Sequence, residues 1–374
     1  MRNLATIQVI KSLSPIPNAD TIEKAEILGW EIVVKKNDFN VGDKVIFCEI
    51  DAILPELPCF EFMRSKKYRV RTVKLRGQVS QGIAFPLSTV KEVDPTINID
   101  KLRVGDDMTQ IMQITKYDPE SALDIDGTEP QEKKSWIANK WSYVKWKLFG
   151  FRKVKSHGDF PDYCPKTDET RVQNMGRALM EHEGQPIYIT SKVEGTSATF
   201  IYRRNGNSLA RLFGQGYHFL VCSRNRIIYN SQKDGKTEHH ILKVAERYNI
   251  LEEMKKLNRN IAIQGEVIGP KIQKNVYKLT ELDFKVFLIY DIDAQKYLPF
   301  QETIDLVNKM GLSFVPIVDI NVPIVNNIKY YVDLSKGYSK INPKTLREGI
   351  VARTMDGSFS FKSINPDYLL SEKN

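Results

Sequence analysis

Up to about residue 110 the chain reads as short runs of clustered or alternating apolar positions. Ala5–Ile10, Glu31–Val34, Lys44–Ile50, Arg69–Leu75 and Gly82–Phe85 are β-prone. Turn signals separate them at Pro15-Ile-Pro-Asn18, Asn40-Val-Gly-Asp43, Leu54-Pro55 and Arg76-Gly77. Short strands at this spacing, with little helix between them, predict a small barrel. From about residue 162 the pattern mixes both periods. Glu169–Glu183 predicts a helix, and Ile187–Ser191 with Ala198–Arg203 predicts two paired strands. Within His239–Leu257, the residues Ile241, Leu242, Ala245, Tyr248, Leu251 and Met254 fall at helical spacing. That stripe predicts one long helix with a core-facing side. Ile261–Val267 and Val286–Asp291 are β-prone, and Gln301–Met310 predicts a helix stopped at Gly311. Ile350–Arg353 and Ser358–Lys362 close the pattern as strands. The chain has no internal repeat and no long low-complexity tract.

Between the two patterned regions lies a different stretch. Asp118–Pro130 is acidic and turn-rich. It is followed by Lys133, Lys134, Lys140, Lys145, Lys147, Arg152, Lys153 and Lys155, interleaved with Trp136, Trp141, Tyr143, Trp146, Phe149 and Phe151. Cations beside rings suit a surface that meets phosphates and stacks on bases. An amphipathic linker helix, aromatics packed and lysines solvated, accounts for the pattern equally well.

The length of 374 residues predicts two domains. A 41% apolar fraction is enough to build cores and excludes a wholly disordered chain. The net charge of +9 favours a polyanionic partner, nucleic acid or an anionic surface. Cys48, Cys59, Cys164 and Cys222 form no CxxC pair and no zinc spacing, so they read as thiols in a reducing compartment. No apolar leader opens the chain, and no run of about 18 apolar residues could span a bilayer. A soluble, intracellular monomer with no membrane partner is the expectation.

The sharpest local feature is Ser191-Lys192-Val193-Glu194-Gly195-Thr196-Ser197. A lysine ends a β-prone run, and a glycine three places on lets the backbone pass close to a ligand. A lysine amine becomes a nucleophile once desolvation, neighbouring cations or a metal make part of it neutral. Three further segments follow in order. Ile263-Gln-Gly-Glu266-Val267 ends a strand-like run on a carboxylate. Arg347-Glu348-Gly-Ile-Val-Ala-Arg353 sets a second carboxylate before an apolar strand. Phe359-Ser360-Phe361-Lys362 sets a cation on a late strand. Each piece alone is more often structural, and the order is what carries information. His157, His182, His218, His239 and His240 lack mutual spacing for a metal and are expected on the surface.

That order resembles the covalent lysyl-nucleotidyltransferase superfamily of ATP-dependent ligases and messenger-RNA capping enzymes. Lys192-Val-Glu-Gly195 looks like its first motif, Glu266 its third, Phe287-Leu-Ile-Tyr-Asp291 the strand that stacks an aromatic on the purine, Glu348-Gly-Ile-Val351 its fourth and Lys362 its fifth. Further segments are Asn18-Ala-Asp-Thr-Ile, Gly29-Trp30-Glu-Ile-Val-Val-Lys-Lys36, Val41-Gly-Asp-Lys-Val, Glu49-Ile-Asp51, Arg71–Gly82 and Lys166-Thr-Asp-Glu-Thr-Arg-Val-Gln-Asn174. These resemble the ATP-dependent RNA ligases typified by the Deinococcus and Naegleria enzymes, over nearly the whole chain. One departure stands: the fifth motif often has two lysines, and here the first position is Ser360.

The resemblance implies an α+β protein. An OB-fold β-barrel over residues 1–115 precedes a linker over 116–161. A nucleotidyltransferase domain, with ATP-grasp-like antiparallel sheets and helices, spans 162–374. It implies an RNA ligase that uses ATP and magnesium or manganese to join 3′-hydroxyl and 5′-phosphate ends of nicked or broken RNA. The path runs through lysyl-AMP on Lys192 and adenylylated RNA. Glu266 and Glu348 would hold the metal through water, and Lys362 would neutralise the α-phosphate. Phe287 would stack on adenine, Glu194 would touch the ribose hydroxyls, and Gly195 would allow close approach. Arg171 would grip phosphate, with Arg224 a second candidate; the alternative for Arg171 is a salt bridge on a helix. Other readings are a DNA ligase, a GTP-using capping enzyme, and an inactive OB-fold RNA-binding protein.

Overall fold

The computed structural model describes residues 3–117, 158–204, 216–230 and 239–371. The basic aromatic stretch and the acidic stretch before it lie outside these residues.

In the N-terminal half, Trp30–Lys35 alternates strictly, with Trp30, Ile32 and Val34 buried and Glu31 and Lys35 exposed. It pairs antiparallel with Ile22–Ile27, which pairs with Ser12–Pro15. A second sheet orders Ala5–Val9, Lys44–Cys48 and Ile83–Pro86. The two enclose one core of Ile7, Ile10, Trp30, Ile32, Ile46, Phe47, Phe60, Met108 and others. The predicted run Arg69–Leu75 forms a strand only over Val73–Leu75, paired with Gln78–Ser80. Asn18 and Asn37 adopt left-handed backbone at the turns, φ 58° and 68°.

The C-terminal half holds two sheets. One has four strands in the order Ile317–Pro323, Pro186–Lys192, Gly349–Thr354, Ser360–Ile364. The other runs through Ile227–Asn230, Tyr217–Cys222, Thr196–Arg204, Ile261–Ile268, Asp283–Asp291 and Lys296–Tyr297, with Ser313–Phe314 parallel to Asp283–Asp291. The strands around Lys192 and Ala198 are therefore not paired, contrary to expectation. Each finds long-range partners in its own sheet, and Val193-Glu194-Gly195 carries the chain from one sheet to the other.

Two predicted helices are also revised. His239–Leu257 divides into His240–Arg247 and Ile250–Leu257 at Asn249, whose φ is 48°. The apolar stripe survives the break, with Ile241, Leu242, Ile250 and Met254 buried in one core. Glu169–Glu183 is helical only over Gly176–Glu181, after a 3-10 turn at Val172–Asn174. Its first residues are extended because their backbone is claimed elsewhere: Lys362 N donates to Thr170 O at 2.8 Å. The helix Phe300–Lys309 stops as expected before Gly311.

The halves are stitched together by specific polar contacts. Trp30 Nε1 donates to Asn174 Oδ1 at 2.7 Å, and Asn174 Nδ2 donates to Glu49 Oε1 at 2.6 Å. Gly29 N donates to Gln173 O at 3.0 Å. A Cβ at Gly29 would lie 2.5 Å from Ile328 Cδ1, so glycine permits this close packing. Among the described residues, no helix is long and apolar enough to cross a membrane.

Not all histidines lie on the surface. His239 is buried and caps the His240–Arg247 helix, its Nδ1 accepting from Ile241 N at 3.2 Å. Burial, with His239 and Lys243 beside it, pushes His240 down to about 4. His182 stacks on Phe359 with centroids 4.0 Å apart. His239 and His182 each set Nδ1 within hydrogen-bond distance of the backbone, whereas His240 Nε2 is buried without a partner among the described residues.

Candidate active site

Strand alternation decides what the four-stranded sheet shows to each side. Ile187 and Ile189 join Ile350, Ala352 and Phe361 in a buried cluster on one face. On the other, Lys192 lies across from Gly349, and Val351 lies between Thr190 and Lys362. Lys192 and Lys362 thus share a face, two strands apart.

Lys192 Nζ lies 2.6 Å from Glu348 Oε1. Glu348 directly precedes the Gly349–Thr354 strand, and the residue across from Lys192 in register is Gly349, which has no side chain to stand between them. Burial would lower the amine's pKa. The charges of Glu348, Glu266 and Glu169 outweigh burial and hold it above the ordinary lysine value. Of the routes to a neutral amine, desolvation is thus outweighed in the protein by itself. Its carboxylates keep the proton on.

Glu266 sits on the opposing sheet, across from Ser197, so the third carboxylate position comes from a different layer. Glu348 Oε2 is buried and makes no hydrogen bond among the described residues. Such an oxygen is costly unless something satisfies it. Oxygen donors of this kind fit magnesium or manganese held through water. A direct cage is absent: no three His, Cys, Asp or Glu side chains converge among the described residues.

The turn after Lys192 is confined. A Cβ at Gly195 would lie 2.4 Å from Val267 O and 2.8 Å from Glu266 Cγ, so only glycine passes here without displacing the backbone. Glu194 N donates to the Tyr277 hydroxyl at 2.8 Å, and the Glu194 carboxylate accepts from the Tyr368 hydroxyl. Phe287 packs, partly buried, against a cluster that includes Val193, Ile268 and Tyr277. The Arg353 guanidinium is 5.8 Å from its ring centre. Arg353 is itself buried and donates to Glu169. Burial would raise the Glu169 pKa, but Arg353 and Lys362 hold it below the usual range.

The other cations gather on one acid. Lys362 Nζ lies 2.7 Å from Asp168 Oδ1, with Arg224 at 3.3 Å and Lys116 at 3.8 Å from Oδ2. Against the effect of burial, these three bring Asp168 down to about 2. Lys362 is pushed down to about 8 by burial, with Arg171 and Lys192 adding to the fall and Asp168 opposing it. Arg171 is 7% exposed and lies 3.4 Å from Asp51 of the N-terminal half. It makes a salt bridge, but not on a helix: its backbone bridges in parallel to Lys362. Ser360, where a second lysine was missing, lies across from Arg353 in register.

The fold thus brings Lys192, Glu348, Glu266 and Lys362 together, with Arg171 and Arg224 at the rim of the same polar face. Asp168, Glu169, Arg353, Tyr277 and Tyr368 were not singled out from the sequence. The first three lie inside segments already quoted. The two tyrosines carry no local signal.

Comparison with known proteins agrees with this layout. An OB-fold domain profile matches residues 4–87, and an RNA ligase profile matches residues 185–364. No curated protein matches. An apo mutant of Naegleria gruberi RNA ligase superposes with a TM-score of 0.80 at 32% identity, covering 100% of this chain and 98% of that one. A mutant of the same enzyme with ATP and Mn gives 0.80 at 31%, covering 100% of both chains. Its structure with PPi gives 0.79 at 32%, covering 100% and 99%. An N-terminal OB-fold domain, a ligase domain behind it, and identity of 32% over nearly the whole of both chains mean that this chain belongs to the RNA ligase family.

Proposed function

We propose that this chain is an ATP-dependent RNA ligase that joins a 3′-hydroxyl to a 5′-phosphate through a lysyl-AMP intermediate on Lys192. The contact between Lys192 and Glu348, made where two non-neighbouring segments meet, supports this reading best. The domain limits we assign are 1–115 for the OB fold, 116–161 for the linker and 162–374 for the nucleotidyltransferase domain. The separate N-terminal core supports the first boundary.

In the first step the Lys192 amine attacks the α-phosphorus of ATP. A phosphorus–nitrogen bond forms, the bond to the β-phosphate oxygen breaks, and pyrophosphate leaves. The AMP then passes to the RNA 5′-phosphate and frees Lys192. Attack by a 3′-hydroxyl expels AMP and closes the strand. The intermediate divides one difficult condensation into three displacements.

Against burial, the charges of Glu348, Glu266 and Glu169 hold the resting Lys192 above the ordinary lysine value. A ligand that engages Glu348 removes one of those charges. Glu348 and Glu266 would bind magnesium or manganese through water, and such an ion supplies positive charge that favours the neutral amine and stabilises the reacting phosphate. Lys362 neutralises α-phosphate oxygens, and Arg171 and Arg224 offer guanidinium forks to the others. Phe287 stacks on adenine, and Glu194 meets the ribose.

The test is incubation with α-labelled ATP and magnesium or manganese, followed by denaturation. Wild type should retain label, and Lys192→Ala should retain none. Label in neither protein, with ATP or GTP, would leave RNA binding without catalysis as the better reading. A GTP preference would favour capping chemistry, and sealing only of deoxyribose ends would favour a DNA ligase.

A further inference from the structure

We infer that Tyr368 is a positioning residue for nucleotide binding: it fixes the Glu194 carboxylate for the ribose hydroxyls and so sets how strongly ATP is preferred over its deoxy analogues. The inference rests on the reading that Glu194 meets the ribose.

Glu194 stands in the three-residue passage between two sheets, where neither ladder holds the side chain. Its backbone is anchored by the Tyr277 hydroxyl at 2.8 Å. Its carboxylate accepts a hydrogen bond from the Tyr368 hydroxyl, 174 positions further along the chain. A carboxylate is planar and accepts at both oxygens, so a phenol bound at one fixes the direction of the other.

Tyr368 can do this because its helix, Pro366–Ser371, is held on several sides. Asn365, fully buried, begins it: Asn365 Nδ2 donates to Arg347 O at 2.9 Å, and Asp367 N donates to Asn365 Oδ1 at 3.0 Å. Asn365 N donates to Glu348 O at 2.9 Å, so the segment that carries the lysine's partner also fixes the helix. Tyr368 is 7% exposed, and the next residue, Leu369, packs against the N-terminal core. The phenol is therefore placed by both halves of the molecule. Fixing a binding group before the ligand arrives avoids the ordering cost at binding.

The experiment measures lysine adenylylation with ATP, 2′-deoxy-ATP and 3′-deoxy-ATP in wild type, Tyr368→Phe, Glu194→Gln and the double variant. Wild type should use ATP with a lower KM than at least one deoxy analogue. Tyr368→Phe should raise the KM for ATP about tenfold. The KM for that analogue should stay unchanged, with kcat within about twofold. The double variant should resemble Glu194→Gln alone, because the two groups act as one unit. An equal KM rise for ATP and both analogues would overturn the inference and make Tyr368 structural, as would no rise at all. If wild type is labelled yet does not discriminate against either analogue, the ribose role of Glu194 falls and this inference falls with it. If Phe at 368 weakens folding, Tyr368→His offers another ring with a donor; restored discrimination in it supports the inference, and loss equal to that of Tyr368→Phe overturns it.

Discussion

Phe361 and Lys362 are adjacent in the chain and opposite in everything else. Phe361 is fully buried, packed edge-on against Tyr331 with centroids 4.7 Å apart. Lys362 lies on the other face, held by Asp168 and pushed down to about 8. The same contrast runs along the Pro186–Lys192 strand, where Ile187 and Ile189 build the core while Lys192 meets Glu348. A strand with two unlike faces can anchor a reactive group on a rigid support, because the buried alternates fix the backbone that carries it. Stability and chemistry are thereby separated by a single residue of register.

That separation can be broken from either side. The largest effect belongs to the polar face: Lys362→Met should lower the rate of lysine adenylylation by about a hundredfold or more, as for loss of one charge-stabilising donor. It should shift stability by less than about 1 kcal/mol, since a buried cation is removed and Asp168 keeps Arg224 and Lys116. Phe361→Ala should do the reverse, costing about 3–5 kcal/mol in denaturant unfolding while the folded fraction still takes label. If Phe361→Ala abolishes labelling under conditions where it is folded, the two faces are not independent.

A smaller effect sharpens the picture through pH. Below about pH 8 Lys362 is charged in the free protein. Over the same range the neutral fraction of Lys192 grows with pH, because its pKa lies above the ordinary value. The kcat/KM for ATP should therefore climb. Above about 8 Lys362 loses its proton while Lys192 continues to gain neutral form. The effects oppose, and the profile should flatten. Lys362→Arg cannot titrate in this range, so its profile should keep climbing. A wild-type profile that rises unbroken to about pH 9.5 would count against this assignment of Lys362.

The smallest effect concerns the contact between halves. Asp51→Asn weakens the hold on Arg171 and should raise the KM for ATP about two- to fivefold, the range for a partly exposed ion pair. No change would mean that Arg171 is positioned by its neighbours within the ligase domain alone.

The motif lysine and the two carboxylates were legible from the order of short segments, and strand and helix periods located most elements. Local patterns could not reveal which strand pairs with which. The strands around Lys192 and Ala198 looked like a hairpin, yet each is buried in a different sheet, because long-range partners satisfy more backbone and apolar surface than the hairpin would. Asn249 broke a helix that its apolar stripe predicted whole, since asparagine tolerates left-handed backbone.

The sequence by itself pointed to the RNA ligase family, singled out Lys192, Glu266, Glu348 and Lys362 as a candidate set, and put the OB-fold domain before the ligase domain. Those depend on residue type and on spacing along the chain. Only the tertiary structure decided that carboxylates outweigh burial at Lys192, that Asp168 gathers three cations, and that Tyr368 reaches Glu194 from the far end of the chain. Protonation and hydrogen bonding depend on distance and burial, and these are set by contacts between segments that carry no mark of one another in the sequence.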